Sequence, residues 1–365
     1  MKECGYVMSG DVAVARIENG NVTPIIDNLM PTYLKRTNNF EGWLNERAID
    51  SHRTNSRLLK KVLRLTTATD AEVVLKANAV TITDNYWFKA DSAEICYDDV
   101  RFKENVFDRL ALLGDPDSFN QKPQSTPELT NIGSYEKCWR IIDGEWWLYK
   151  QGTDEEIFSE LFISILGTRF GFNMAYYEKD GKYIRSRDFT RSASVNLESM
   201  YSYVGDEEDY EKNFETLYEI LPDAAKEYVE MIFLDTICFN MDRHTRNYGV
   251  LREITTGKVV GLAPNYDNNI ALISRGYPKN ISRESDRLIE LFTEFISGNE
   301  VAREFYDSID KKVLCESIIN DTIAETGFDV NEKEISEFIL NGADKIEMTL
   351  GEQLMIEDMG IQTNW

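Results

Sequence analysis

The sequence predicts an α+β protein in three stretches: a small N-terminal α+β region over residues 1–125, a strand-rich small lobe over 126–190, and a helical large lobe over 191–365. Three observations predict it. Short extended runs joined by Asn-Gly and Asp-Gly dipeptides crowd the first half, whereas helical periodicity dominates from Asp206 onward. A strand pattern ending in Lys150 runs directly into a capped apolar helix pattern. Finally, Asp242 and Asn247, five residues apart, follow a long apolar helix pattern, and Asp267 comes after a pair of short apolar runs.

The elements read as follows. Val12–Ile17 and Asn21–Ile26 are extended runs around Asn19-Gly20, the strongest short hairpin signal. Phe40–Asn45 leads into Ser51–Leu65, where Leu58, Leu59, Val62, Leu63 and Leu65 form an apolar stripe at helical spacing, read as core. The aromatic stretch Ala79–Lys89 reads as buried strand and turn; Tyr86 and Trp87 are packing residues in that reading, with a peptide-docking surface as the alternative. Gly114–Pro127, rich in Asp, Pro, Ser, Gln and Asn, is the linker candidate. Cys138–Ile142 and Glu145–Lys150 are strands turning at Asp143-Gly144, and Thr153 with Glu156 forms a capping box for the helix that follows. A further hairpin turns at Asp180-Gly181, and Ser186–Phe189 reads as the crossover between lobes. Helices are then expected near Tyr210–Leu221, Ala224–Phe239, Leu288–Phe295, Ala302–Ile309, Leu314–Ile323 and Glu332–Leu340.

Composition narrows the function classes. With 42% apolar residues the chain has ample material for packed cores. Five scattered cysteines without a Cys-x-x-Cys pair make a disulfide framework or structural zinc a poor fit, and two histidines leave little for a histidine-rich metal site. A formal charge of −24 argues against broad contact with nucleic-acid phosphates and favours a basic peptide or protein partner. No apolar run is long enough to cross a bilayer and the first residues lack the apolar core of a signal peptide, so a cytoplasmic location without membrane contact is expected.

Asp242, Asn247 and Asp267 supply, in order, what phosphoryl transfer requires. A carboxylate accepts the hydroxyl proton, an amide oxygen five residues later binds metal, and a second aspartate beyond a hairpin binds the metal that bridges the phosphates. Magnesium prefers a few hard protein oxygens completed by phosphate and water, which Asn247 and Asp267 would provide. The hairpin is read in Gly249–Ile254 and Val259–Ala263 around Thr255–Lys258. Lys150 ends a strand where a cation for the α and β phosphates belongs, and the loop ahead of that hairpin, with Thr130, Asn131, Gly133 and Ser134, is expected to cradle the nucleotide, with His244 also at its site. These features predict a two-lobed protein-kinase-like fold using ATP and Mg2+. Asp and Asn also serve as caps and turn residues, but the surrounding context favours the catalytic reading.

The stretch Asn240-Met-Asp-Arg-His-Thr-Arg-Asn-Tyr-Gly249, with Ala263-Pro-Asn-Tyr-Asp267, resembles the HipA-like serine/threonine kinases, in which Asp-Arg-His reverses the His-Arg-Asp order of ordinary protein kinases. The resemblance implies a HipA-like kinase domain, a Ser/Thr acceptor on a protein, a regulatory hydroxyl in the loop Thr126–Ser134 open to autophosphorylation, and a helix-turn-helix antitoxin as partner. It also implies that Glu160, on the helix after Lys150, pairs the strand lysine. Where many relatives continue Asp-x-Gly, this chain has Asp267-Asn268-Asn269, leaving open how the metal loop is held. A small-molecule phosphotransferase on the same fold, and a catalytically silent toxin-antitoxin binding module, are the alternatives, since the motif describes the ATP side of a site and not its acceptor.

Overall fold

In the computed structural model, which describes residues 3–358, the chain gathers into two compact units. The first comprises Met1–Gly152, Glu178–Gly205 and Gly249–Gly261; the second comprises Thr153–Tyr177, Asp206–Tyr248 and Leu262–Trp365. Space thus groups the chain differently from a division at 125 and 190. The first unit continues past Ser186–Phe189, the expected crossover, as far as Gly205. The reason is strand pairing and shared burial, described next.

The first unit holds three antiparallel sheets. Strands β1 (Cys4–Ser9), β2 (Val12–Glu18), β3 (Asn21–Pro24) and β4 (Tyr86–Ala90) lie in the order β3-β2-β1-β4. The β2–β3 turn places Asn19 at φ 51° and Gly20 at φ 85°, the two positive values that a tight hairpin of this hand demands. Strands β5 (Lys137–Ile142), β6 (Glu145–Lys150), β7 (Tyr177–Asp180) and β8 (Tyr183–Arg187) lie in the order β5-β6-β8-β7, and β9 (Val195–Ser199), β10 (Gly249–Glu253) and β11 (Val259–Leu262) in the order β11-β10-β9. The β9–β10 pairing explains why residues 249–261 join this unit.

The N-terminal region and the Lys150 hairpin share one core. Trp139 and Trp146 from β5 and β6 pack with Trp87 of β4, with Leu59 and Leu63 from the predicted apolar stripe, and with Phe107 and Leu129. Tyr86 and Trp87 are both buried, so this pair packs and offers no docking surface. A second tie is polar. The guanidinium of Arg252, on β10, donates to Glu198 on β9 (2.5 Å), to the Tyr86 hydroxyl (3.1 Å), and to the carbonyls of Met30 (3.1 Å) and Asn28 (2.7 Å). A buried ion pair of this kind is weak evidence for net stability but strongly fixes geometry, because separating the partners leaves an uncompensated charge in a dry interior.

The second unit is helical. Thr153 and Glu156 form the predicted capping box, each side chain accepting the other's backbone N–H, and open the helix Asp154–Phe170. The helix Pro222–Ile237 begins with proline at its first turn and is buried on nearly every side, as expected of a central helix. Its Phe233 packs edge-on against Phe170 and Tyr306, and Tyr306 packs in turn against Phe292. At its end the buried guanidinium of Arg283 donates to the carbonyls of Thr236 (2.7 Å) and Ile237 (3.0 Å), while Asp286 balances its charge (2.6 Å). This cation satisfies carbonyls the helix cannot satisfy itself and complements the helix dipole. The helices Arg287–Gly298, Glu300–Asp307, Glu316–Thr326 and Glu332–Asp358 complete the unit.

Charge divides sharply between the units. The second carries 37 Asp and Glu against 14 Lys and Arg, the first 27 against 26, so almost all of the net −24 belongs to the helical unit.

One buried carboxylate gives the first unit a pH signature. Glu128 is fully buried and accepts hydrogen bonds from the Trp139 N–H (2.7 Å), Asn105 (2.7 Å) and Asn131 (2.9 Å). Loss of hydration outweighs those bonds and pushes its carboxyl up to about 7. The folded state therefore holds this proton over a range where the unfolded chain has released it. The associated stability is complete below the ordinary glutamate range and is lost as pH rises through about 7. Urea titrations of wild type and Glu128→Gln between pH 5 and 8 should differ in slope, the wild type losing on the order of 3 kcal/mol more than the variant over the interval. Parallel curves would show that Glu128 stays ionised throughout.

Candidate active site

The site is assembled where the central helix stops. Cys238 ends the helix Pro222–Ile237 and Phe239 takes φ 53°, turning the chain out of helical geometry. Asn240 then folds back: its N–H donates to the Asp235 carbonyl (2.8 Å) and its side-chain amide to the Asp235 carboxylate (2.8 Å), while its Oδ1 accepts the Asp242 N–H (3.2 Å). This aims the loop so that Asp242 is exposed.

Asn247 is oriented by the same loop. Its Nδ2 donates to the backbone carbonyl of Asp242 at 2.7 Å. A carbonyl can only accept, so the amide nitrogen is fixed on that side and the Oδ1 turns away from it, the orientation a metal-binding oxygen needs. The His244 ring is exposed; its Nδ1 accepts the Arg246 N–H (3.2 Å), which leaves the proton of a neutral ring on Nε2.

Arg243, the middle residue of Asp-Arg-His, connects this loop to the one carrying Asp267. Its side chain is 3% exposed and forms a two-pronged ion pair with Asp235 (2.7 and 2.9 Å). The remaining N–H groups donate to the carbonyls of Asn247 (2.9 Å) and Tyr266 (2.9 Å) and to the side-chain oxygens of Asn265 (3.0 Å) and Asn268 (2.7 Å). Burial alone would lower the guanidinium's pKa, but the Asp235 carboxylate, with Asp267 adding its charge, holds it above the ordinary arginine range. Five N–H groups in one plane serve these six acceptors, with one Nη2 hydrogen shared between two oxygens; a lysine could not.

The open question about Asp267-Asn268-Asn269 is answered by Asn268. Its Oδ1 accepts from Arg243 and from Asn240 (3.4 Å), and its N–H donates to Glu160 Oε1 at 3.0 Å. Glu160, fully buried on the helix Asp154–Phe170, thus holds the backbone of the Asp267 loop. Asp267 itself takes φ 65°, a left-handed conformation costly for a residue with Cβ, and its N–H donates to the Tyr177 hydroxyl (3.3 Å).

In the first unit, Lys150 is buried at the end of β6 and lies directly opposite Lys137 of β5, also buried. The register places two like charges directly opposite on neighbouring strands, a pairing that by itself is unfavourable. The loop before β5 divides by exposure. Thr130 and Asn131 are buried, with the Thr130 hydroxyl donating to the Val80 carbonyl (2.6 Å) and the Asn131 amide to Glu128; Gly133 and Ser134 are exposed. Gly133 takes φ 100°, and a Cβ there would collide with the Lys137 ammonium. Of the residues expected to cradle a nucleotide, Thr130 and Asn131 therefore spend their side chains on scaffolding, and the loop offers backbone instead.

Among the described residues, no group of three or more His, Cys, Asp or Glu side chains could hold a metal by itself. The two oxygens of Asn247 and Asp267 suit magnesium only with phosphate and water completing its shell. Sequence reading missed Asp235, Arg243, Asn265 and Asn268 as the frame of the site. Arg243 lies inside the motif and could have been found; the others carry no local signal.

A family model described as the HipA-like C-terminal domain matches residues 133–332. No curated protein matches the chain by sequence. Among solved structures, HipA of Shewanella oneidensis MR-1, from a toxin-antitoxin complex with HipB and operator DNA, is 14% identical with a TM-score of 0.62, covering 95% of this chain and 97% of its own. The Helicobacter pylori proinflammatory kinase CtkA is 17% identical with a TM-score of 0.47, covering 60% of this chain and 94% of its own.

The frame makes a stability prediction. Arg243→Met leaves Asp235 buried without its counter-charge and should destabilise the protein by about 3–5 kcal/mol, while Asp235→Asn added to Arg243→Met should recover part of that loss. Chemical denaturation of the two variants decides it; a loss under about 1 kcal/mol for Arg243→Met would mean the ion pair does not organise the loops.

Proposed function

The chain belongs to the HipA-like C-terminal domain family, and from that premise we propose that it is an ATP- and magnesium-dependent protein kinase, transferring the γ-phosphoryl group to a serine or threonine hydroxyl of a protein. The fold is the mixed α/β, kinase-like architecture of the HipA structure described above. The observation that carries the proposal is the common anchorage of the Asp242–Asn247 loop and the Asp267 loop on Arg243. Two loops with separate tasks in phosphoryl transfer are held by one buried cation.

In this reading Asp242, exposed on its loop, accepts or steers the acceptor hydroxyl's proton. Asn247 and Asp267 hold magnesium, which when bound neutralises charge on the β and γ phosphates. Lys150 and Lys137 supply positive charge to the phosphates, with Gly133 beside the Lys137 ammonium. His244, exposed on the same loop as Asp242, is a nucleotide-contact candidate. Self-phosphorylation falls most simply on Ser134, whose side chain is exposed; the Thr126 and Thr130 hydroxyls donate to Asn105 and Val80, so a phosphate on either would have to unseat the loop.

The HipA structure was solved with an antitoxin and operator DNA, and we extend an antitoxin-type protein partner to this chain. The concentration of negative charge in the helical unit favours a basic protein surface there over direct nucleic-acid contact. No helix among the described residues is long and apolar enough to cross a membrane, and we assign the protein to the cytoplasm.

The roles separate experimentally. Asp267→Asn should abolish magnesium-dependent ATP binding in calorimetric titrations, because a neutral amide no longer balances metal and phosphate charge. Asp242→Asn should bind Mg-ATP as the wild type does yet transfer phosphate about 10²–10⁴-fold more slowly. Unchanged affinity in the first variant, or lost affinity in the second, would reverse the assignments.

A further inference from the structure

Arg53 stands just before the helix Thr54–Val62, nearly eighty residues from the loop that precedes β5, yet it is bound to that loop at three successive carbonyls. Its Nε donates to the Gly133 carbonyl at 2.7 Å, and its Nη2 donates to the Ile132 carbonyl at 3.1 Å and to that of Asn131. The far end of the loop returns the contact: the Glu136 carboxylate accepts the Asn55 N–H at 3.0 Å, at the start of the same helix. Asn131 is pinned beneath by Glu128. The segment Asn131–Glu136 is therefore shaped by the N-terminal region.

The direction of the bonds matters. In a trans peptide the C=O and the following N–H point opposite ways, and the described chain contains no cis peptide. Three carbonyls drawn onto one guanidinium thus turn the N–H groups of Ile132, Gly133 and Ser134 away from Arg53, onto the other side of the loop. Successive N–H groups presented on one side are how backbone binds anions, and a cation behind the peptide dipoles strengthens them as donors. The residue needed at the centre is one that tolerates φ 100°, and that is Gly133.

We propose that Arg53 is a positioning residue for the nucleotide phosphates: by gathering the carbonyls of residues 131–133 it holds the next three amides outward as an anion cradle, so that the N-terminal region sets the site's affinity for nucleotide. The proposal rests on the kinase reading above for the identity of the anion, but not for Arg53's hold on the loop. A guanidinium is required, because an ammonium has no planar fork with which to reach three carbonyls.

The test uses the full chain with Arg53→Lys and Arg53→Met. Hydrogen exchange followed by mass spectrometry should accelerate roughly tenfold or more in both variants at the amides that hold the two ends of the loop, Asn131 on the Glu128 carbonyl and Asn55 on the Glu136 carboxylate, the effect of losing at least one ordinary hydrogen bond, with little change elsewhere in the first unit. The KM for Mg-ATP should rise by a similar factor while kcat and the KM for the protein acceptor change little. Damage to the fold alone would lower kcat through loss of active protein and leave KM unmoved, and that pattern overturns the proposal, as does unchanged exchange at those amides. If Arg53→Met does not fold, Arg53→Lys, which keeps the charge and one donor direction, carries the same test. If the wild-type protein binds no ATP, the kinase reading fails, and the exchange result still decides whether Arg53 shapes the loop.

Discussion

The ion pair between Arg243 and Asp235 is the constraint on which the candidate site depends. Asp235 belongs to the buried central helix, so the guanidinium is referenced to the core of the helical unit. From that point it reaches the backbone of the Asp242–Asn247 loop and both flanks of Asp267. Loops carry chemistry because they are free of regular hydrogen bonding, and they carry it reproducibly only when something fixes them to the scaffold. Here a single side chain does so for both. The left-handed Asp267 is tolerated for the same reason, since the residues around it are already bound.

Much of this was legible in the sequence. The Asn19-Gly20 and Asp143-Gly144 turns, the Thr153–Glu156 capping box and the helix leading to Asp242 are local signals, and local physics decides them. The family motif pointed to Asp242, Asn247 and Asp267 because their spacing is itself chemical. What could not be read was long-range. Nothing near Arg53 announces a loop eighty residues on, nothing in Glu198 announces Arg252, and strand β10 joins the first unit through its pairing with β9 and the bonds of Arg252. Glu160 illustrates the middle case: its helix was predicted, yet its bond to the Asn268 backbone is a tertiary fact. Asn269, at the glycine position of the familiar Asp-x-Gly pattern, does not take a positive φ, so the backbone there asks for nothing that only glycine supplies, while Asn268 ties the loop to Arg243.

The two units differ in their electrostatics as well as their architecture. The strand-rich unit is close to neutral and concentrates lysines 137 and 150 on adjacent strands, next to a loop shaped from the N-terminal region. The helical unit holds nearly all the excess acid. A protein so divided can attract phosphates locally while repelling polyanions over its larger surface, which fits a nucleotide-dependent enzyme acting on proteins.

The most direct measurement of the central claim is transfer of label from [γ-32P]ATP to proteins of a cell lysate, with and without magnesium, followed by acid hydrolysis and identification of the labelled amino acid. The account predicts magnesium-dependent label on serine or threonine that disappears with the Asp242→Ala variant. Label that survives in that variant, or no transfer by wild-type protein to any protein or to itself, would contradict it.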